Sequence, residues 1–304
     1  MYNHRSGNGK ARLQELSRAL DRESAAYQVH RSPDADALPA LLDSMNLSPE
    51  DILLILGGDG SMNQVIQHLS GDRMPTLMLL PAGSGNDFAR GVAMRRDTEA
   101  AIRIIKSTKA RRDMLDCGEV SFPGESGIPA RRFMVSCGAG YDANVCQVLD
   151  HSRLKHAMNR IHMGKLAYLI HGIQGIFQYK KTCATISLDG GPARKYPNLA
   201  FLSCHNLPFE GGGFAFAPDA SGQSGKLNIC VFTAANRALF TLELAASLFG
   251  WHGKLPGVTI LPFTEAVIHV DEPLTFHTDG EVKKEIADFT VRVKPACIPF
   301  LYSK

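Results

Sequence analysis

Two short apolar runs, each stopped by a glycine-rich turn and followed by a helical pattern, set the grammar of the first third of the chain. Ile52 to Leu56 has the length and branching of a fully buried strand, and Gly57-Gly58-Asp59-Gly60-Ser61 ends it ahead of a helix-like Met62 to Leu69. Thr76 to Leu80 repeats the arrangement, closing in Pro81-Ala82-Gly83-Ser84-Gly85-Asn86-Asp87 before Phe88-Ala89-Arg90 resumes the helical spacing. Upstream, Leu13, Leu16 and Leu20 form a helical stripe, Ala25 to His30 reads as a short strand and Asp34 to Met45 as a helix. Thr98 to Ile105 predicts another helix, and Arg111 to Leu115 leads into Asp116-Cys117-Gly118. Strands alternating with helices prescribe a parallel, doubly wound sheet.

Beyond residue 116 the pattern changes. Phe133 to Ser136, Ala184 to Leu188, Asn198 to Ser203, Lys226 to Phe232, Val267 to Val270, Leu274 to Thr278 and Phe289 to Val293 are short alternating runs between Gly, Pro and Asp turns. They read as an antiparallel sandwich. Helices are expected at Gly164 to Phe177 and Arg237 to Phe249. Between residues 153 and 162 basic and apolar residues interleave, the texture of a membrane-facing segment and equally of a solvated helix face. The expected organisation is therefore α/β plus all-β: a domain over 1–116 and a β-rich domain over 117–294.

Composition narrows the class without deciding function. At 304 residues, with 44% apolar and 21% charged, the chain is long enough for two real cores. A net charge of +3 is too small to imply nucleic acid, although a mildly basic face suits an anionic membrane. Seven cysteines are scattered with no close pair at metal or redox spacing, which favours buried thiols in a reducing cytoplasm. The most apolar stretch, Ala238 to Trp251, is too short to span a bilayer and is broken by Glu243, so the expectation is a soluble protein.

The two glycine turns carry the candidate chemistry. Glycines let backbone N–H groups approach an anion closely. Asp59 and Asp87 beside them are odd choices for anion binding alone, and a bridging Mg²⁺ explains them, since that ion takes one or two carboxylates and completes its shell with phosphate oxygens. Each turn by itself is also readable as an ordinary turn or a helix cap. Two such units behind buried strands favour nucleotide binding.

At these residues the chain resembles the diacylglycerol-kinase catalytic family of lipid kinases, whose signature pairs GGDG[TS]xN with PxG[TS]xND[FL]AR. Those elements are Gly57 to Asn63 and Pro81 to Arg90 here. The resemblance implies an ATP-binding, NAD-kinase-like doubly wound domain, a C-terminal β-sandwich for the lipid, and a return of residues 295–304 to the first domain. It places ATP on Asn3, Arg5, Ser6, Gly7, Ser32, Gly57, Gly58, Asp59, Gly60, Ser61, Asn63, Gly83, Ser84, Asn86 and Asp87, and Mg²⁺ on Asp59, Asp87 and Asp116 through water. Asp116 also reads as a turn aspartate. The family's first strand usually brings several apolar residues ahead of the asparagine, and two precede Asn3, so either the start is placed too late, which is the expectation, or the sheet lacks a strand. His4 stands where the family has proline.

The Gly211 to Ala220 stretch resembles a family element that continues into an aspartate-bearing Mg²⁺ loop. Ser224 stands at the aspartate position, and no second metal site is expected. Thr278-Asp279-Gly280-Glu281 matches a turn that faces the γ-phosphate, with Asp279 or Glu281 accepting the proton of the attacking hydroxyl; as an isolated pattern it is also a hairpin turn. The resemblance implies a lipid kinase using ATP and Mg²⁺ on a lipid at the inner membrane face, with a homodimer compatible and no nucleic-acid partner. The alternatives are an NAD-kinase-like enzyme and a catalytically silent lipid-binding protein.

Overall fold

The computed structural model describes residues 1–3, 9–32, 36–71, 74–83, 85–95, 97–106, 112–125, 127–150, 172, 174–176 and 181–302. Two compact units emerge, Met1–Leu115 with Ala296–Lys304, and Asp116–Pro295.

Unit 1 holds strands β1 (Tyr2–Asn3), β2 (Arg31–Ser32), β3 (Ile52–Gly57) and β4 (Thr76–Pro81), and helices α1 (Gly9–Arg22), α2 (Leu38–Ser44), α3 (Asp59–His68), α4 (Asp87–Gly91) and α5 (Thr98–Lys106). β4 pairs β3, β3 pairs β1 and β1 pairs β2, all parallel. The end of the last strand, β14 (Glu281–Leu301), adds to β4 in parallel, Phe300 opposite Leu77. Residues on alternate sides of a strand serve different layers. Leu54, Leu56, Met78 and Leu80 pack with Leu16, Ala19, Leu20, Ala101 and Ile102 of α1 and α5. Leu53, Ile55, Leu77 and Leu79, which point the other way, are buried as well, as expected of a sheet covered on both faces.

Details depart from the sequence reading. The strand expected over Ala25 to His30 falls on Arg31–Ser32, because the backbone contact with β1 begins only at His30, whose carbonyl accepts from Tyr2 N–H at 3.0 Å. Met62 does not open α3; Asp59 does, so the signature aspartate is itself in the first helical turn. A groove of about 640 Å³ is lined by Met1, α1, residues 25–30 and β3. The terminal amino group donates to the Leu54 carbonyl at 2.9 Å, and burial lowers its pKa to about 6.

Unit 2 is antiparallel. β5 (Arg112–Ser121) enters it and pairs β6 (Arg131–Phe133), and β7 (Ser136–Gly140) is followed by α6 (Tyr141–Asp150). The order β12 (Val258–Phe263), β11 (Leu227–Phe232), β10 (Phe201–His205), β7, β13 (Glu265–Thr278), β14 runs across it, and β8 (Thr182–Leu188) with β9 (Arg194–Leu199) joins β13 from elsewhere. The two runs expected at Val267 and Leu274 form one strand. Ala266 to Val270 pair β8 and Phe276 to Thr278 pair β7, with an irregularity after His269 between them. A strand that bends there can serve both sheets of a sandwich.

The run expected over Asn198 to Ser203 is instead split at Ala200 between β9 and β10, and β12 had no counterpart in the apolar pattern. Alternation on β10 and β11 divides the interior. Leu202, Cys204, Ile229 and Val231 face the sandwich core, while Phe201, Cys230 and Phe232 meet Phe240 and Leu244 of α7 (Arg237–Ser247). The helix expected at 164–177 and the basic segment at 153–162 lie almost wholly outside the described residues.

Candidate functional site

In unit 1 parallel pairing brings the C-terminal ends of four strands together. Asn3 lies opposite Ser32, Tyr2 opposite Leu56, and Gly57 opposite Pro81. The chain runs from β1 to β2 on one side and then to β3 and β4 on the other, so β1 and β3 flank a topological switch point, where open α/β sheets bind ligands. Both glycine turns open there. Backbone meets backbone between them: a Cβ on Gly83 would fall 2.9 Å from Gly58 Cα, and one on Gly57 would fall 2.5 Å from Ser61 Oγ. Glycine is thus required by a close approach rather than by a turn angle, since Gly58 has extended backbone.

Asp59 holds the two turns together. Its Oδ2 accepts the Asp87 N–H at 3.0 Å and its Oδ1 the Phe88 N–H at 3.1 Å, so a carboxylate at the start of one helix caps the start of another. Asn86, just before, takes a left-handed φ of 54° and donates through Nδ2 to the Gly83 carbonyl at 2.7 Å. Among the described residues its Oδ1 is buried without a hydrogen-bond partner. Asp87 pairs with Arg90. A Cβ on Gly85 would sit 3.3 Å from Asp59 Oδ2 and 3.6 Å from Asp87 Oδ2, so both carboxylates converge on the space this glycine leaves. Asn63 is fully buried and accepts from Gln67 Nε2 at 3.1 Å. Arg5, Ser6, Gly7 and Ser84 lie outside the described residues.

Asp116 is not in a turn. It lies inside β5 and belongs to unit 2, where its N–H donates to the Gly222 carbonyl at 2.6 Å and its Oδ2 accepts from Gly225 N–H at 2.7 Å. The loop it holds contains Ser224, whose hydroxyl reaches the carbonyls of Ser221 and Lys226 at 2.9 and 3.0 Å. A hydroxyl proton here serves carbonyl oxygens of the kind a cation would otherwise gather.

The Asp279 turn is built differently from either glycine loop. Asp279 has a left-handed φ of 47°, and its carboxylate accepts the N–H groups of Met134, Val135 and Ser136 at 2.9, 2.9 and 3.1 Å. Its own N–H donates back to the Ser136 carbonyl at 2.8 Å. Glu281, two residues on, is about a third exposed and pairs with Arg131 at 2.5 Å, while Arg131 Nε donates to Thr278 Oγ1 at 3.2 Å. The two candidates that the sequence left equivalent therefore differ: one is tied to the backbone by three amides, the other faces outward on an arginine.

Behind the turn lies a buried cluster that the sequence reading missed. His277 Nε2 is 3.1 Å from Asp142 Oδ2 and 3.1 Å from Glu210 Oε1, and His205 Nε2 bonds Ser203 Oγ at 2.7 Å beside them. Those three ligand-type atoms lie within 4.8 Å of one another. The Gly280 N–H lies 3.3 Å from Nδ1, and although burial opposes it, the carboxylates of Glu210 and Asp142 raise the ring's pKa well above the ordinary histidine value. Burial raises the pKa of the Asp142 carboxyl, with His277 opposing the shift. His277 ties the cluster to the turn through the amide of Gly280, the residue between Asp279 and Glu281. Asp142 and His277 are 135 residues apart, a separation no motif spans.

Fold and site together define a two-unit protein with an NAD-kinase-like α/β half and a β-sandwich half. The diacylglycerol kinase catalytic domain model matches residues 1–119, and the YegS C-terminal NAD kinase beta sandwich-like domain model matches residues 135–302. The chain belongs to the bacterial diacylglycerol kinase-like family of lipid kinases. It is 26% identical to the diacylglycerol kinase of Bacillus subtilis, over 92% of this chain and 88% of the relative. A solved diacylglycerol kinase structure from Bacillus anthracis superposes with a TM-score of 0.68 at 15% identity, covering 99% of this chain and 95% of that one. An NAD kinase from Archaeoglobus fulgidus in complex with ATP shares the fold with a TM-score of 0.53 at 13% identity, over 100% and 92% of the two chains. Among the described residues no helix is long and apolar enough to cross a membrane.

Proposed function

We propose that this chain transfers the γ-phosphoryl group of ATP to the hydroxyl of a lipid, diacylglycerol or a related molecule. The observation that carries the reading is the Asp59 carboxylate capping α4, because it joins two glycine turns into one surface at a strand switch point. An isolated turn or an ordinary cap has no use for that arrangement. The relatives named as diacylglycerol kinases supply the acceptor class.

Backbone N–H groups of Gly58, Gly60 and the Gly83 to Gly85 turn would cradle the phosphates, and Asn86 Oδ1 would receive a donor from the nucleotide. Asp59 and Asp87, converging on Gly85, form a donor set suited to a hard cation. Bound there, Mg²⁺ would neutralise charge on the transferring group. Glu281 is the proposed proton acceptor, oriented by Arg131; Asp279, with both oxygens already taken by amides, anchors the turn. As the lipid oxygen bonds to the γ-phosphorus its proton passes to Glu281, the bond to the bridging oxygen breaks, and ADP leaves.

The test is turnover of radiolabelled ATP with Mg²⁺ across diacylglycerol, phosphatidylglycerol and sphingoid bases. Label is expected in one lipid phosphate. ATP binding by calorimetry without labelled lipid from any of them would replace the kinase by a binding protein.

A further inference from the structure

Among the described residues, nothing covers the apolar outer face of α7 and the turn after it. Phe240, Glu243, Leu244 and Ser247 are the helix's buried residues, so Leu242 and Ala245 turn outward, followed by Leu248. Leu242 is 56% exposed, Phe249 67% and Trp251 61%, and the two rings stack at 5.2 Å. Isolated exposed apolar residues are ordinary, but a contiguous group centred on Trp and Phe is not.

The projection is built rather than loose. Gly250 reverses the chain with φ 71°, Phe249 and Trp251 N–H groups both donate to the Ala246 carbonyl, and the next residue, His252, is fully buried. His252 Nε2 contacts the Phe216 carbonyl at 3.0 Å and its ring stacks on Phe232 at 5.6 Å. The polar and apolar anchors sit in the core, and the aromatic pair between them is held in water.

Charge names the occupant. Between residues 236 and 255 the charged side chains are Arg237, Glu243 and Lys254. Within this stretch the acid is completely buried, while both cations are exposed, Arg237 before the apolar residues in the chain and Lys254 after them; Asp219, beside the Pro218 that lies against Gly250, is the exposed acid nearby. Trp and Phe flanked by Lys and Arg is the composition of a bilayer interface, where rings enter the headgroup boundary and cations meet anionic lipid. At 150–250 Å² for a whole aromatic side chain, the face offers roughly 400 Å², about half of what a specific protein partner requires on each side.

We infer that Leu242, Leu248, Phe249 and Trp251 form a membrane-docking face for anionic phospholipid bilayers. The inference deepens the lipid-kinase reading and rests on it for its purpose, since an acceptor that resides in a bilayer must be met at its surface.

Trp251 is the chain's single tryptophan, so its emission reports the face directly. Vesicles of equal parts phosphatidylcholine and phosphatidylglycerol, without acceptor or ATP, should shift that emission to the blue, and brominated lipid should quench it. Leu248→Ser with Phe249→Ser should weaken the partition by about tenfold or more, with melting temperature unchanged. Arg237→Gln with Lys254→Gln should weaken it on these vesicles and not on phosphatidylcholine alone. No blue shift, or equal partition of the double serine variant, would overturn the inference. So would a blue shift that tracks protein concentration without vesicles, which would mean that a second copy covers the face. A water-soluble short-chain diacylglycerol separates the two readings: its phosphorylation, unchanged in the serine variant, upholds the kinase whatever the vesicles show.

Discussion

The glycine turns of unit 1 and the Asp279 turn of unit 2 both fix a carboxylate with backbone amides, but they draw those amides from different distances. Asp59 takes its two N–H donors from Asp87 and Phe88, one strand and one turn away. Asp279 takes three from residues 134–136, across about half the chain, and is backed by a histidine whose partners are Asp142 and Glu210. A motif can encode the first kind of site because neighbouring βα units always present the same ends. The second exists only once an antiparallel sheet has aligned β7 with β13. Unit 1 should therefore respond to substitution mainly in chemistry, and unit 2 in both chemistry and stability.

The largest effect is expected from Asp59→Asn. Removing its charge should lower turnover by about 10³-fold, with the circular dichroism of the folded chain preserved even though an NH₂ replaces one of the two oxygens that accept the Asp87 and Phe88 N–H groups. An Asn variant turning over near the parent rate would end the reading of unit 1 as the phosphate and cation site.

His277→Ala comes next and tests the opposite half. Two buried carboxylates would lose the donor between them, and breaking such a group typically costs about 3–5 kcal/mol. Urea unfolding should show the loss, and His277→Gln should restore part of it because an amide can still donate. An unchanged midpoint for the alanine variant would show that the cluster does not hold the turn.

Glu281→Gln should lower lipid phosphorylation by roughly 10²-fold with ATP affinity unchanged by calorimetry. Asp279→Asn should also lower turnover, but together with stability, since an amide oxygen replaces only part of the three-amide acceptor. If Asp279→Asn proves selective for turnover and Glu281→Gln silent, the two roles are reversed.

The smallest effect belongs to the amino terminus. Its pKa is about 6 when folded against 8.0 for the free group, so the unfolded chain binds more protons between those values. Stability should rise by at most about 2–3 kcal/mol from pH 6 to pH 8 and fall again on acidification through that window. A chain extended ahead of Met1, which carries no ammonium at that place, should lack this slope in urea midpoints. An identical slope would assign it to another group.

Much of unit 1 was legible because its elements are contiguous: buried strands, glycine turns and the helices after them lie within a few residues of one another. Helix starts were less so, since Asp59 enters α3 only through the cap geometry around Gly58. In unit 2 apolar alternation located most strands but joined or split them wrongly around Ala200 and His269, because neighbours across the sheet decide where a strand breaks. His277, Glu210 and Asp142 carried no joint signal, because they lie in three separate stretches of the chain.

The sequence by itself determined the alternation of strands and helices, the paired glycine signature and the candidate carboxylates, since those depend on residues close along the chain. Only the tertiary structure decided that Asp59 caps the helix of the second loop, that Asp116 holds the Gly222 to Gly225 loop, and that Asp279 is held by backbone amides while Glu281 is held by Arg131. The physical reason is the range of the interactions. Periodicity and turn chemistry act over a few residues, whereas a hydrogen bond to a buried carboxylate depends on which strands finally lie side by side.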